Sequence, residues 1–296
     1  MIASSSRVIA AAIALSIVAS GALAVEAPPI ALQFPSVDGT VLTGYLFIPS
    51  KGPRTKSPAI VMMHGRAGPY SSAANGRYDA STLSRRHTFW GRYWAEQGYA
   101  ALLVDGFGPR GYPAGFPIHS YTSRPDAVNE VTVRPLDAYG ALKYLRSRPD
   151  IDGSRIALQG WSNGGSATIA AMSDEILAAS GMPAKTGFRG AIALYPACAL
   201  HDRFANGYRP YAPVRVFAGD ADEEVSAARC ARLVQGAEEA GGNIAIRIYP
   251  GATHGFDDPN ARRQSDPSNI AATSDAVPAI SAFVRRLFGI GGRSLN

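Results

Sequence analysis

The stretch that decides the fold is Leu158–Ala167, which reads LQGWSNGGSA. The apolar residues 155–159 lead into it and predict a strand, and the alanine-rich residues 166–179 predict a helix. Ser162 stands between the two, with a glycine two positions before it and another two positions after it. Glycines at this spacing indicate crowding around the serine, because only a residue without a Cβ atom fits where side chains would collide.

The pattern Gly160-x-Ser162-x-Gly164, placed between a strand and a helix, is typical of a nucleophile elbow. Such a turn strains the serine backbone and lifts the hydroxyl above the edge of a sheet. The amide groups and the positive dipole end of the following helix then point at that hydroxyl. The sequence therefore predicts Ser162 as a catalytic nucleophile, with a purely structural turn as the alternative.

A serine hydroxyl is a weak nucleophile without a neighbouring base. The elbow architecture places its acid and then its histidine after the serine in the chain. Of the five histidines, only His201 and His254 lie downstream of Ser162. His201 leaves too little chain for an intervening strand with an acid, whereas His254 lies in a loop of small residues, 250–256, after the last apolar strand. We expect His254 to be the base, the alternative being an ordinary surface histidine.

The orienting acid should follow the apolar strand predicted at residues 214–218. The sequence there, GDADEEV at residues 219–225, offers four acids. Asp222 is favoured because the loop must leave the strand and turn back before it presents a carboxylate to the histidine; Asp220 is the alternative. The two glutamates are expected to begin the following helix, where negative charge is stabilised.

An acyl-transfer site also needs two backbone amides to bind the oxyanion. One should belong to Asn163, directly after the nucleophile. The second should come from the loop that follows the buried strand predicted at residues 59–63, where Arg66 is favoured and Gly65 is the alternative. His64, in the same loop, is expected to shape the loop rather than to act as a base.

Strands alternate with helices along the chain, which predicts a mostly parallel sheet covered on both faces. The first two strands are expected to form an antiparallel edge, and no linker divides residues 25–296, so a single domain is expected. The remaining predicted strands are 30–34, 41–48, 99–104, 190–195 and 244–249, and the remaining helices are 78–97, 135–145, 226–240 and 274–288.

The start of the chain differs from the rest. Residues 8–18 are almost wholly apolar, and Ala22-Leu23-Ala24 is a small-x-small cleavage pattern. This predicts a signal peptide over residues 1–24, with an uncleaved anchor as the alternative. The apolar stretch is short for a membrane span, and no later segment is long enough. We expect a secreted or periplasmic protein with no membrane span after cleavage.

Composition excludes several classes of function. The net charge is +6, but the basic residues are scattered, which argues against nucleic-acid binding. No metal-binding motif and no dinucleotide fingerprint occurs, so no metal and no cofactor are expected. The two cysteines, Cys198 and Cys230, indicate a disulfide in an exported protein, with two buried thiols as the alternative.

The substrate pocket is expected beyond the carboxyl ends of the strands. Trp161 flanks the nucleophile and either binds substrate or packs against neighbouring helices. A long loop at residues 107–133 supplies further candidates. The arginines and aromatic residues singled out in it are Phe107, Arg110, Tyr112, Phe116, His119, Tyr121 and Arg124.

Six motifs together resemble the exported dienelactone hydrolase-like branch of the α/β-hydrolases, over about residues 30–290. They are HGRAG at 64–68, DGFGPRG at 105–111, GWSNGG at 160–165, YPAC at 195–198, GDADEEV at 219–225 and THGF at 253–256. The resemblance implies an eight-stranded sheet, hydrolysis of esters or lactones, and a triad of Ser162, Asp222 and His254. The founding members use a cysteine nucleophile and a glutamate in the first oxyanion loop, so ester hydrolysis carries over better than dienelactone specificity.

The sequence thus predicts a secreted serine hydrolase that cleaves small-molecule carboxylic esters or lactones through an acyl-enzyme. Two alternatives stay open at this point. One is a serine peptidase acting on short peptides, because the same triad cleaves amides. The other is a non-catalytic binding protein of the same fold. The oligomeric state is not predicted.

Overall fold

The computed structural model describes residues 28–49 and 56–290, and the predicted signal peptide, residues 1–24, lies outside them. Eight strands are present in the described residues. They are β1 Ile30–Pro35, β2 Val41–Phe47, β3 Ser57–Met63, β4 Ala100–Asp105, β5 Ile151–Trp161, β6 Ala191–Leu194, β7 Val214–Gly219 and β8 Ile244–Tyr249.

These strands form one sheet in the order β1-β2-β4-β3-β5-β6-β7-β8. β1 pairs antiparallel with β2, and β2 pairs antiparallel with β4. Every other neighbouring pair is parallel. The prediction of a mostly parallel eight-stranded sheet with an antiparallel edge is confirmed. Because parallel strands all end at the same edge, the loops after β3, β5, β7 and β8 emerge on one side of the molecule.

Six α-helices lie among the described residues. They are α1 Arg85–Glu96, α2 Arg134–Ser147, α3 Asn163–Ala171, α4 Asp174–Ala179, α5 Ala227–Glu239 and α6 Pro267–Leu287. The predicted helix 166–179 is in fact two helices, because the Ser173 side chain accepts a hydrogen bond from the amide of Ile176 and begins a second one. No helix in the described part of the chain is long and apolar enough to cross a bilayer.

Two other helix boundaries were predicted wrongly. α1 begins only at Arg85, because Ser84 caps it, and not at residue 78. α6 begins at Pro267, a first-turn position that tolerates proline, after the cap at Asp266. Residues 107–133 contain only short 3-10 turns among their loops, in agreement with the prediction of a long loop.

The central strand β3 is buried on both faces. Its Ala59, Val61 and Met63 pack in one apolar cluster, while Ile60 and Met62 pack in a second cluster across the sheet. This alternation follows from the two-residue period of a strand. The continuous apolar run in the sequence therefore places β3 in the middle of the sheet, and its end lies at the middle of the loop edge.

Two histidines are buried inside this framework. His87, in the first turn of α1, is 3% exposed, and its Nδ1 lies 2.9 Å from the carbonyl oxygen of Pro69. Burial lowers the pKa of His87 from 6.5 to about 4, so the imidazole is neutral in the folded protein. Burial also lowers the pKa of His64 well below its ordinary value.

The free energy of unfolding should fall as the pH falls from about 6.5 to about 4, the two pKa values of His87 in the unfolded and the folded chain. The unfolded chain takes up a proton at His87 below about pH 6.5, whereas the folded chain resists protonation down to about pH 4. The stability contributed by the neutral form is complete above about pH 6.5 and is lost towards pH 4. His87→Gln should therefore lose about 3 kcal/mol less than the parent between about pH 7 and pH 4, as measured by urea unfolding.

His119→Gln is the matched control, because it removes an exposed histidine and leaves the buried His87 in place. A His87→Gln variant with the same loss of stability as the parent would contradict the assignment of this pH dependence to His87.

Candidate active site

Ser162 is the single residue between the end of β5 and the start of α3. Its backbone is left-handed, with φ 52° and ψ −117°, a conformation that costs a non-glycine residue about 1–3 kcal/mol. A Cβ atom on Gly160 would lie 2.1 Å from the carbonyl oxygen of Gly164, and one on Gly164 would lie 2.1 Å from that of Met63. Both glycines are required by this close approach of backbones, which is the crowding that the sequence indicated.

The carboxylate of Asp222 lies against the ring of His254. Its two oxygens are 2.9 and 3.0 Å from Nδ1. The Asp222 side chain is 1% exposed, and two backbone amides of its own turn donate to Oδ1 at 2.8 and 2.9 Å. Asp220, by contrast, is exposed and accepts from the amide of Gly251 at 2.6 Å. Of the two candidate acids, the structure brings Asp222 to the histidine.

The other ring nitrogen of His254 has a different neighbour from the one expected. Nε2 lies 3.8 Å from Oε2 of Glu224. Within the described residues, no hydrogen bond joins the Ser162 hydroxyl to His254. The Ser162 side chain opens instead into the cavity described below. In the described residues the ring of His254 thus lies between the carboxylates of Asp222 and Glu224.

The prediction that Glu223 and Glu224 begin the next helix is wrong. α5 begins at Ala227, and the Ser226 side chain caps it. The preceding residues form the turn that presents Asp222, so the two glutamates lie beside His254. Glu223 Oε2 accepts the backbone amide of His254 at 2.9 Å.

The two predicted oxyanion donors lie on either side of the elbow. Asn163 begins α3, so its amide has no partner within the helix. Arg66 lies in the loop after β3, and among the described residues its amide donates to no backbone or side-chain acceptor. Gly65 packs on the nucleophile, since a Cβ atom there would lie 3.4 Å from Cβ of Ser162. His64 is fully buried, and its Nε2 accepts the amide of Gly106 at 3.2 Å.

Arg134 is a buried residue that the sequence did not indicate. Its guanidinium donates to the carbonyl oxygen of His64 at 2.7 Å and also to the side-chain oxygen of Asn163. Burial lowers the pKa of Arg134 to about 10, so the group keeps its charge at neutral pH. One side chain thus connects the loop after β3 to the first residue of α3, which are the two segments that carry the candidate oxyanion donors.

Trp161 does not line the cavity, so the prediction that it contacts substrate is wrong and the packing alternative holds. The ring is fully buried, and its Nε1 donates to Oδ2 of Asp257 at 2.8 Å. The same oxygen accepts from Nε1 of Trp90 at 2.8 Å, and the hydroxyl of Tyr195 donates to Oδ1. Asp257 therefore ties the elbow to α1, to the end of β6 and to the His254 loop.

A cavity of about 1020 Å³ opens beside Ser162. Small residues on the loop after β6 and on the start of α5 form part of its wall, and charged side chains form much of the rest. Three candidates from the 107–133 loop, His119, Tyr121 and Arg124, line it. Arg110 instead pairs with the buried carboxylate of Asp137 at 2.8 Å. The charged lining residues are Arg66, Arg124, Glu130, Asp220, Asp222, Glu223, Glu224 and Arg229.

Cys198 and Cys230 form a disulfide, with 5.0 Å between their Cα atoms. Cys198 lies in the loop after β6, whereas Cys230 lies in α5. Residues next to both cysteines line the cavity, among them Ala197, Ala199 and Ala231. The bridge therefore connects two walls of the same cavity.

The sheet order and the serine turn after β5 are those of the α/β-hydrolase class. The chain belongs to the dienelactone hydrolase family, whose model matches residues 42–288.

Three solved structures share the fold at low sequence identity. A protein of Klebsiella pneumoniae assigned as a dienelactone hydrolase is 17% identical, with a TM-score of 0.63 over 87% of this chain and 98% of its own. Esterase 2 of Thermogutta terrifontis, with propionate bound, is 18% identical, with a TM-score of 0.60 over 90% and 97%. A promiscuous, dienelactone hydrolase-like phosphotriesterase from metagenomic libraries is 17% identical, with a TM-score of 0.61 over 88% and 99%.

Replacing the Asp257 carboxylate should destabilise the fold. Asp257→Asn places an NH₂ group among donors that need an acceptor, so we expect a loss of about 1–3 kcal/mol in the free energy of unfolding by urea. The neighbouring Asp258, whose side chain is 21% exposed, gives the matched control Asp258→Asn, with an expected loss below about 1 kcal/mol. Equal losses in the two variants would show that Asp257 does not hold these segments together.

Proposed function

We propose that this member of the dienelactone hydrolase family is a serine esterase that hydrolyses small carboxylic esters or lactones. The observation that carries the proposal is the Asp222 carboxylate at 2.9 Å from Nδ1 of His254, in a cavity that the strained Ser162 also lines. In this proposal Ser162 is the nucleophile, His254 the general base and acid, and Asp222 the group that orients the ring.

The reaction would proceed in two halves. In the first, Oγ of Ser162 attacks the acyl carbon while its proton passes to Nε2 of His254. The ring then protonates the leaving alcohol oxygen, which leaves an acyl-enzyme. In the second, His254 takes a proton from water, the hydroxide attacks the acyl carbon, and the acid departs as Ser162 recovers its proton. A lactone follows the same steps and yields a hydroxy acid.

The negative oxygen of the tetrahedral intermediate needs donors that are already in place. The amides of Asn163 and Arg66 serve this role in the proposal, because neither is used by the described residues. Asp222 keeps the proton on Nδ1, so that Nε2 is free to accept the one from Ser162. The imidazolium that forms is stabilised by the same carboxylate.

The cavity has room for a small-molecule ester. Alanines on two of its walls leave room beside Ser162, and the related Thermogutta terrifontis structure holds propionate, the acid part of a short ester. Export of the protein, with cleavage after about residue 24, is part of the proposal. The disulfide supports it, because such bonds persist in oxidising compartments.

A fluorophosphonate probe tests whether Ser162 is an activated nucleophile. The folded protein should carry one adduct on Ser162 by mass spectrometry and should hydrolyse p-nitrophenyl acetate or butyrate. Ser162→Ala should lose both properties, because the attacking oxygen is gone. Absence of the adduct in folded protein would favour a binding protein, and faster cleavage of aminoacyl anilides than of esters would favour a peptidase.

The two aspartates give a matched pair of variants. Asp222→Asn should lower kcat by roughly 10³–10⁴-fold, because the amide no longer fixes the proton on Nδ1. Asp220→Asn should stay within about threefold of the parent, since its carboxylate contacts the amide of Gly251 and not the ring. Steady-state hydrolysis of p-nitrophenyl acetate measures both, and the reverse order of effects would assign the triad acid to Asp220.

A further inference from the structure

The carboxylate of Glu224 stands between two parts of the candidate machinery. It contacts the guanidinium of Arg66 on one side and faces the ring of His254 on the other. We propose that Glu224 is a positioning residue for ester hydrolysis, which fixes the loop of Arg66 and places a second negative charge beside Nε2 of His254. This inference rests on the proposed function and names a residue outside the triad.

The contact with Arg66 is bidentate. Nε and Nη2 of Arg66 lie 2.7 Å from Oε2 and Oε1 of Glu224. The pair is partly buried, with the two side chains 22% and 10% exposed. Two parallel hydrogen bonds between a guanidinium and a carboxylate define an orientation as well as a distance. Glu224 therefore fixes the direction in which the Arg66 side chain leaves the loop.

Arg66 is also held from the opposite side. Its Nη1 donates to the carbonyl oxygen of Phe116 at 3.0 Å, and the amide of Phe116 donates to the carbonyl oxygen of Arg66 at 2.8 Å. Arg66 is thus hydrogen-bonded both to the 107–133 loop, through its side chain and its backbone, and to the Glu224 turn, through its side chain. Because oxyanion donors must be aimed within a few tenths of an ångström, this double anchorage positions the amide of Arg66 for that task.

The second part of the inference concerns charge. Oε2 of Glu224 lies 3.8 Å from Nε2 of His254, the atom that takes the proton from Ser162 in the proposed reaction. Burial would raise the pKa of Glu224, but the hydrogen bonds from Arg66 and the charges of His254 and Arg66 together bring that pKa below its ordinary value. The carboxylate is therefore ionised at neutral pH, and it favours the protonated ring that forms in the transition state.

Other charged and titratable groups face the imidazole or lie next to it, and a substitution at Glu224 leaves them in place. Asp222 binds Nδ1, and the ring of Tyr195 packs on the imidazole with 4.8 Å between centroids. Further groups among the described residues are Glu223 on the His254 amide, Arg263 paired with Glu223, Arg86 above the Tyr195 ring, and Asp257 bound to the Tyr195 hydroxyl.

The decisive variant is Glu224→Gln, which keeps the shape and an acceptor for Arg66 but removes the charge. We expect kcat for p-nitrophenyl acetate to fall about tenfold with KM within about threefold of the parent. The acid limb of the kcat/KM profile should move to lower pH by roughly one unit, because the protonated ring loses a neighbouring anion. The matched control is Glu175→Gln, which should change neither quantity. Glu175 forms an exposed pair with Arg203, far from Glu224 in the sequence.

Arg66→Met separates the two parts of the inference. It should also lower kcat, because the loop loses its anchor. Its acid limb should move to higher pH, since the carboxylate of Glu224 stays and its neutralising partner is gone. Opposite shifts of the acid limb in Glu224→Gln and Arg66→Met would not arise from a merely structural ion pair.

The inference is overturned if Glu224→Gln matches Glu175→Gln in kcat and in the acid limb, or if it only lowers the melting temperature. It is also overturned if both variants at the pair move the acid limb in the same direction. These failures differ from a failure of the proposed function, in which the parent itself hydrolyses no ester and carries no fluorophosphonate adduct.

Discussion

The close approach of the elbow backbone to the end of β3 is the constraint on which the rest of the site depends. Gly164 lies so near the Met63 carbonyl oxygen that a Cβ atom would come within 2.1 Å of it. This contact fixes the start of α3 against the loop after β3. The distance between the candidate oxyanion donors, the amides of Asn163 and Arg66, is thereby fixed as well. Ser162, in its left-handed backbone conformation, lies between them, and the tight packing around it holds that strained conformation in place.

Buried polar contacts then connect the loops that leave neighbouring strands. Arg134 joins the loop after β3 to Asn163, and Asp257 joins the elbow to the His254 loop. Glu224 joins the turn after β7 to Arg66. Each of these charges would be costly to bury alone, but each finds donors or acceptors on a segment distant in the chain. The segments that the proposed chemistry requires are thereby held as one arrangement.

The fold and the contact of Asp222 with His254 were predictable because they follow from local pattern and chain order. Alternating apolar strands and helices gave the parallel sheet, and the glycines around Ser162 marked the turn. The order of serine, acid and histidine then selected Asp222 and His254. The apolar pattern, the glycine spacing and the chain order are all properties of neighbouring residues or of strand ends, and a single sequence contains them directly.

The contacts that the sequence did not reveal all join distant segments. The sequence left open whether Trp161, next to Ser162, binds substrate or packs inside, because its Nε1 group is satisfied by Asp257, 96 residues away. Glu224 lies among four acids within seven residues, and only its distance to Arg66, 158 residues earlier, distinguishes it. Arg134 begins α2, and no motif marks it. Their positions depend on tertiary packing, for which a single sequence carries no local signal.

The most direct test of this account is a crystal structure of the protein with Ser162 phosphonylated by a p-nitrophenyl phosphonate. The account predicts that the phosphonyl oxygen lies about 2.7–3.1 Å from the amides of both Asn163 and Arg66, with Nε2 of His254 turned towards Oγ. A phosphonyl oxygen that points into solvent, or beyond hydrogen-bond distance of both amides, would contradict it.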